Sequence, residues 1–237
     1  ALEASKSSVP HPFWTEPHHK VALYFRGTSQ SQRAMQVAIE GYPYHYSSVL
    51  SAELRAAILA FLAALHMVAA ATDIAAGVPA LVDRPPISVH GRVCRQQRSV
   101  GFFAPDGVSG YRYSRQMAPR QDVPPVLSEL LDFVNTLLGT RLNAVLVNYY
   151  ENGTQYISAH KDSSWGLVPG QPIVGLSFGA TRTFRIREAA GNKIRLDLPL
   201  EDNSMVVMLS QTGFTHEIPG RKRLLGERWS LTLRAHQ

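Results

Sequence analysis

A chain of 237 residues, 45% hydrophobic and 18% charged, is long enough to bury a core and too apolar for wholesale disorder or a fibrous repeat. Its 24 Lys and Arg against 18 Asp and Glu give a formal net charge of +6, which favours anionic partners without choosing one. The single cysteine, Cys94, excludes an intrachain disulfide framework and makes an intracellular protein the default, with nucleus and cytoplasm both open.

In chain order, residues 1–20 lack an apolar core of signal-peptide length and read as a flexible tail. Residues 21–86 read as a helical lead-in packed on the core, with Tyr42-Pro43-Tyr44-His45-Tyr46 bracing it. Ser51 is a plausible N-cap with Glu53 in the first turn, and Leu54, Ile58, Leu62 and Leu65 recur along one helical face until Gly77 and Pro79. Ala56 to Thr72 is almost wholly apolar, but it is short for a bilayer span, and Glu53, Arg55 and Asp73 flank it, so no membrane partner is expected.

Ile87 to Ser114 is β-prone but broken by glycines, predicting irregular strands and a loop around Pro105-Asp106-Gly107. Between Arg92 and Arg120 there are six arginines (Arg92, Arg95, Arg98, Arg112, Arg115, Arg120) and one acid, Asp106, a candidate polyanion-facing surface. A second amphipathic helix begins near Pro125, buries Val126, Leu127, Leu130, Leu131, Val134 and Leu138, and stops at Gly139. After Arg141, the runs 144–149, 173–178, 183–186, 193–198, 205–209 and 229–233 are short and β-rich. The pattern predicts an α+β protein of one domain: a β-sandwich or barrel core with two helices on one outer face.

The chemistry-bearing constellation is His160-Lys161-Asp162 followed by His216, set in Thr215-His216-Glu217-Ile218-Pro219. Two imidazoles and one carboxylate hold a non-haem Fe(II) on one face and leave the other positions open. On an extended strand the i, i+2 spacing sends His160 and Asp162 to one side and Lys161 to the other. Taken alone, His-x-Asp is also what a surface histidine beside an acid looks like.

The surrounding residues resemble the AlkB family of Fe(II)/2-oxoglutarate dioxygenases. The likeness runs from Asn148-Tyr149-Tyr150-Glu151-Asn152-Gly153 through His160-Lys161-Asp162 and the stretch Gly175 to Phe184, then His216-Glu217-Ile218-Pro219 and Arg228 to Arg234. It covers about residues 88 to 235 and is closest in look to the nucleic-acid-repair members. The resemblance implies a double-stranded β-helix (jelly-roll) core in a dioxygenase domain spanning 87–237, with Fe(II) on His160, Asp162 and His216. It also implies 2-oxoglutarate as co-substrate and O2 as oxidant. Arg228 matches the family arginine that pairs with the distal carboxylate of 2-oxoglutarate, a task for which a guanidinium fork suits a planar carboxylate. Arg234 matches the second arginine, near the metal-proximal end, and Asn148 and Tyr150 match residues that hydrogen-bond the co-substrate. From the strand pattern alone, Arg228 and Arg234 share a face and are equally compatible with exposed charges on an edge strand.

The implied reaction is oxidative demethylation of N-alkylated bases in DNA or RNA, releasing formaldehyde, succinate and CO2, by a chain acting as a monomer. Tyr111-Arg112-Tyr113-Ser114 resembles the segment lining the base pocket, with Tyr113 the stacking ring and His160 opposite. Arg98 and Arg112 of the arginine cluster, and the run Arg221-Lys222-Arg223, are candidate phosphate contacts. Where family members that repair bases carry acids just after the metal-binding aspartate, this chain reads Asp162-Ser163-Ser164-Trp165, and Ser163 is a candidate substrate contact. The alternatives are the same chemistry on protein side chains or a small molecule, or a non-catalytic nucleic-acid-binding module.

Overall fold

The computed structural model describes residues 34–35, 44–69, 77–89, 91–113, 116–208, 213–223 and 226–237. The predicted tail, Tyr42, Pro43, Ser114 and Arg115 lie outside these residues.

The first elements are β1 (Ala34–Met35), β2 (Tyr44–Tyr46) and α1 (Ala52–Ala69). Five short strands follow as β3 (Pro86–Val89), β4 (Arg92–Arg95), β5 (Ser99–Phe103), β6 (Tyr111–Tyr113) and β7 (Gln116–Ala118), then β8 (Arg120–Gln121) and α2 (Pro125–Leu138). The remainder is all strand: β9 (Ala144–Tyr150), β10 (Ile157–His160), β11 (Ile173–Gly179), β12 (Arg182–Glu188), β13 (Ile194–Leu200), β14 (Ser204–Met208), β15 (Phe214–Ile218) and β16 (Arg228–Arg234).

Both helices form where their apolar spacing requires. Ser51 Oγ accepts from Leu54 N at 3.3 Å, so the predicted cap closes the first turn of α1. Gly139 adopts φ 63°, the left-handed conformation that ends α2, and its N–H bonds back to Asn135 O. Val126, expected on the buried side, is only partly buried against the core. Among the described residues, no helix is long and apolar enough to cross a membrane.

Eight strands make one sheet in the order β1-β2-β14-β11-β16-β9-β5-β8, and four make a second in the order β10-β15-β12-β13. Tyr44–Tyr46 of the tyrosine segment is thus a strand of the large sheet, with Tyr46 opposite Met205. Alternation along the central strands divides the protein in two. Val145, Val147, Val174, Leu176, Phe178, Trp229, Leu231 and Leu233 point outward into a core closed by Ile58 and Leu62 of α1 and Leu127 and Leu130 of α2. The intervening residues point inward, where Phe184, Leu200, His216 and Ile218 of the small sheet close a cavity. The architecture is the expected jelly-roll core with both helices on one outer face.

Of the strands after Arg141, two escape the β-run pattern, β10 and β15. Ile-Ser-Ala-His is too short and mixed to alternate, and Phe-Thr-His-Glu-Ile is half-buried, held by β10 on one side and β12 on the other. These are the strands that carry the two histidines of the candidate metal site.

Candidate metal centre and substrate pocket

His160 is the last residue of β10 and pairs directly with His216 of β15 across the sheet. Asp162 lies two residues on, just past the strand end, and Lys161 between them is exposed, as the i, i+2 spacing predicts. Ligand atoms of His160, Asp162 and His216 lie within 4.8 Å of one another. The Nε2 atoms of His160 and His216 stand 3.6 and 3.8 Å from Asp162 Oδ1. His160 Nδ1 lies 2.8 Å from Ser158 O, and a carbonyl only accepts, so Nδ1 carries the proton and Nε2 presents its lone pair to the cluster.

Electrostatics favour the ligating forms. Burial works against ionising Asp162, but Arg234, His160 and His216 outweigh it and hold its carboxyl well below the usual carboxylate range. Burial, reinforced by His160, lowers His216 to about 3, so its imidazole stays neutral. A neutral His216 imidazole beside the ionised Asp162 carboxylate, with the His160 ring facing both, supplies the donor types a divalent transition metal needs.

The inner cavity, about 60 Å³, is bounded on the large sheet by β9, β11 and β16. Register puts Arg228 between Gly179 and Tyr150, and Ser230 between Ser177 and Asn148. Arg228 donates Nη2 to Ser177 Oγ at 2.9 Å and sits 5.4 Å from the centre of the Tyr150 ring. Its Nε and Nη1, like those of Arg234, are buried and meet no acceptor in the protein. A guanidinium with two unmet N–H groups is expensive to bury, and a bound carboxylate removes the cost. Arg234 faces Asp162 at 3.2 Å and lies 4.6 Å from the Tyr111 ring centre. Both arginines are inside because β16 is an interior strand, which removes the reading of exposed edge charges.

The substrate-facing candidates divide. Tyr111 is buried and stacks on Tyr113 at 6.5 Å, and burial pushes its hydroxyl up to about 12. Tyr113 meets His160 edge to face at 5.9 Å. Outside the cavity, Arg112, Tyr113, His160, Asp162, Ser163 and Trp165 border an open mouth of about 660 Å³. Ser163 Oγ accepts from Trp165 N at 3.3 Å.

The arginine cluster does not form one surface. Arg98 is 4% exposed and donates Nε to Asn148 Oδ1 at 2.7 Å, with its guanidinium 5.3 Å from the Tyr113 ring centre, so it lines the pocket instead of facing a polyanion. Arg120 is paired with Asp106 and Asp122 at 2.8 and 2.7 Å. Arg92, Arg95 and Arg112 stay exposed. In the basic run, Arg221 donates to Thr183 Oγ1 at 2.6 Å, and all three residues lie at the surface.

Sequence reasoning gave Arg182 no role. Buried at 1% exposure, it donates Nη2 to Gln155 O and Pro219 O at 2.7 and 2.9 Å, tying the turn before β10 to the segment after β15. It thereby holds together the two strands bearing the histidines. No local signal distinguishes it from the neighbouring Arg185 and Arg187, which bond to Asp197 and Glu217.

The sequence model of the 2OG-Fe(II) oxygenase superfamily matches residues 63–234. The chain is 36% identical over 157 residues to the DNA oxidative demethylase ALKBH2 of Homo sapiens, covering 62% of this chain and 60% of that protein. To ALKBH2 of Mus musculus it is 38% identical over 157 residues, covering 62% and 65%. The alpha-ketoglutarate-dependent dioxygenase alkB homolog 3 of Homo sapiens is 32% identical over 135 residues, covering 52% and 47%. The match thus spans less than two thirds of these relatives' length. Among solved structures, that of OsALKBH1 superposes with a TM-score of 0.53 at 17% identity, covering 84% of this chain and 99% of that one, a likeness of fold.

Proposed function

This chain belongs to the 2OG-Fe(II) oxygenase superfamily, and from that premise we propose that it removes alkyl groups oxidatively from ring nitrogens of bases in DNA or RNA. For a methyl group, the N–CH3, 2-oxoglutarate and O2 become N–H, formaldehyde, succinate and CO2. The carrying observation is the cavity itself: a His-Asp-His cluster, two buried arginines with unmet N–H groups, and a mouth flanked by an aromatic ring and an exposed arginine. The named activity of the ALKBH2 relatives supports the same substrate class.

The donor set fits Fe(II), and the arginines fit a dicarboxylate. When bound, iron, 2-oxoglutarate and O2 supply the oxidising power to hydroxylate a C–H bond. His160, Asp162 and His216 would hold the metal, with Ser158 fixing the His160 tautomer. Arg228, steadied by Ser177, would take the distal carboxylate; Tyr150 and Asn148 lie beside it on β9, and Arg98 holds Asn148 in place. Arg234 balances the Asp162 charge at the metal end. A flipped base would enter between Tyr113 and His160. Their rings now meet at 89°, so Tyr113 must turn to open a parallel slot of about 7 Å, two contact distances of about 3.5 Å each. Unmodified base leaves once the N–CH2OH product has collapsed.

The test is formaldehyde release from N-methylated oligonucleotides, single- and double-stranded, with and without Fe(II) and 2-oxoglutarate. Release that requires both and disappears in Asp162→Ala is expected. Turnover of 2-oxoglutarate stimulated by peptides, with every oligonucleotide inert, would move the substrate to protein side chains.

A further inference from the structure

The mouth of the pocket has a polarity that the proposed activity does not require, and it bears on which bases are taken. Among the described residues bordering the mouth and the inner cavity, the only carboxylate is Asp162. That carboxylate faces Arg234 at 3.2 Å and both histidines, so it is spoken for before any substrate arrives. What remains at the mouth is Arg112 and Lys161, both exposed, with the hydroxyls of Ser163 and Ser164. Deeper in, Arg98 stands over Tyr113, the ring on which the base would stack. The rim therefore offers hydrogen-bond donors and positive charge, with no carboxylate to receive an amino group or balance a cation.

Alkylated bases fall into two classes on these criteria. Alkylation at a Watson–Crick ring nitrogen of adenine or cytosine leaves a cationic ring with an exocyclic amino donor. Alkylation of thymine, uracil or guanine at the corresponding ring nitrogen leaves a neutral ring whose edge presents carbonyl acceptors, two in thymine and uracil and one beside an amino group in guanine. Arginine donors match carbonyl oxygens, as in guanine readout, whereas amino groups call for carboxylate acceptors. A cation approaching Arg112, Lys161 and Arg98 also loses its hydration without gaining a counter-charge. Trp165, 41% exposed, stacks on either kind of ring; exposed cation–π attraction is too weak to reverse the preference.

Resting on the reading of a nucleic-acid dealkylase, we propose that this mouth selects neutral, carbonyl-bearing N-alkylated bases over cationic, amino-bearing ones, with Arg112 and Ser164 as specificity-determining residues. Four single-stranded oligonucleotides differing only in one base (3-methylthymine, 1-methylguanine, 1-methyladenine or 3-methylcytosine) test it. Formaldehyde release gives kcat/KM, and fluorescence anisotropy with the metal-free protein gives Kd independently of turnover. The two neutral lesions should be preferred by about tenfold, the discrimination of one good base-edge contact. Ser164→Glu, a surface change, should shift the ratio about tenfold toward the cationic pair, and Arg112→Gln should weaken binding of the neutral pair. Equal treatment of the four, preference for the cationic pair, or a ratio unmoved by Ser164→Glu overturns the selectivity while leaving the dealkylase reading intact. Release from none of the four, with 2-oxoglutarate still consumed, overturns both.

Discussion

Replacing Arg228 by methionine separates a side chain kept for a ligand from one kept for the fold. Arg228 is 1% exposed, makes one hydrogen bond, to Ser177, and leaves Nε and Nη1 without acceptors. Burial, with the charge of Arg182 adding to it, lowers its pKa to about 10 in spite of Tyr150. Each unmet buried N–H costs about 1–3 kcal/mol. Methionine keeps much of the stem and removes that cost, so the ligand-free protein should be unchanged or more stable, by about 1–4 kcal/mol at most. Toward 2-oxoglutarate the sign reverses. Two charge-assisted hydrogen bonds at about 1.5–3 kcal/mol each amount to roughly 3–6 kcal/mol, or about 10²–10⁴ in affinity at 1.4 kcal/mol per decade. Calorimetric titration of 2-oxoglutarate into Mn(II)-loaded protein reads the affinity, and urea unfolding of metal-free protein reads the stability. An affinity within about threefold of the parent, with stability down by several kcal/mol, would refute the reasoning and make Arg228 a structural residue.

Asp162→Ala should abolish the visible absorption of bound Co(II). It should also cost the metal-free protein about 3–5 kcal/mol, because Arg234 is left buried without its partner; retained Co(II) binding would remove Asp162 from the ligand set. The buried histidines His45, His216 and His236 all have pKa values lowered chiefly by burial, the last two to about 3 and 4. Unfolded histidines bind protons from about pH 6.5 downward while these do not, so stability is complete above that pH. It should fall by about 1.4 kcal/mol per pH unit for each of His216 and His236 as the pH drops toward 4, with a contribution of the same sign from His45, and a flat profile from pH 7 to 5 by urea unfolding would contradict their burial as neutral rings. Gly179 has φ +84° and an added Cβ would lie 2.5 Å from Glu227 O, so Gly179→Ala should lower stability by about 2–3 kcal/mol and disturb the start of β16. Neutralising Lys222 and Arg223 together should reduce the slope of log affinity against log salt for an oligonucleotide by about 1–2; an unchanged slope denies them phosphate contact.

Much of this protein is written locally. Both helices follow from apolar residues at helical spacing, α1 behind a serine cap and α2 before a left-handed glycine, features that act within a few residues of chain. The central strands alternate because one sheet face meets the helices and the other the cavity, so their positions show in the sequence to within two residues. The identities of His160, Asp162 and His216 are equally legible, since few residue types can hold a metal.

What tertiary structure alone decided is where these pieces meet. β10 and β15 are too short or too evenly half-buried to announce themselves, and only their pairing sets His160 against His216. Burial of Arg98, Arg182 and Arg228 cannot be seen in a basic sequence, because an arginine looks the same whether it faces water or a cavity. Its cost is offset only in part, by partners 27 to 51 residues away: Asn148, Gln155, Pro219 and Ser177. The metal centre is the case in which the two sources join. Its candidate ligands are set by chemical type, but their convergence within 4.8 Å and the cationic rim around them arise only when distant strands close on one cavity.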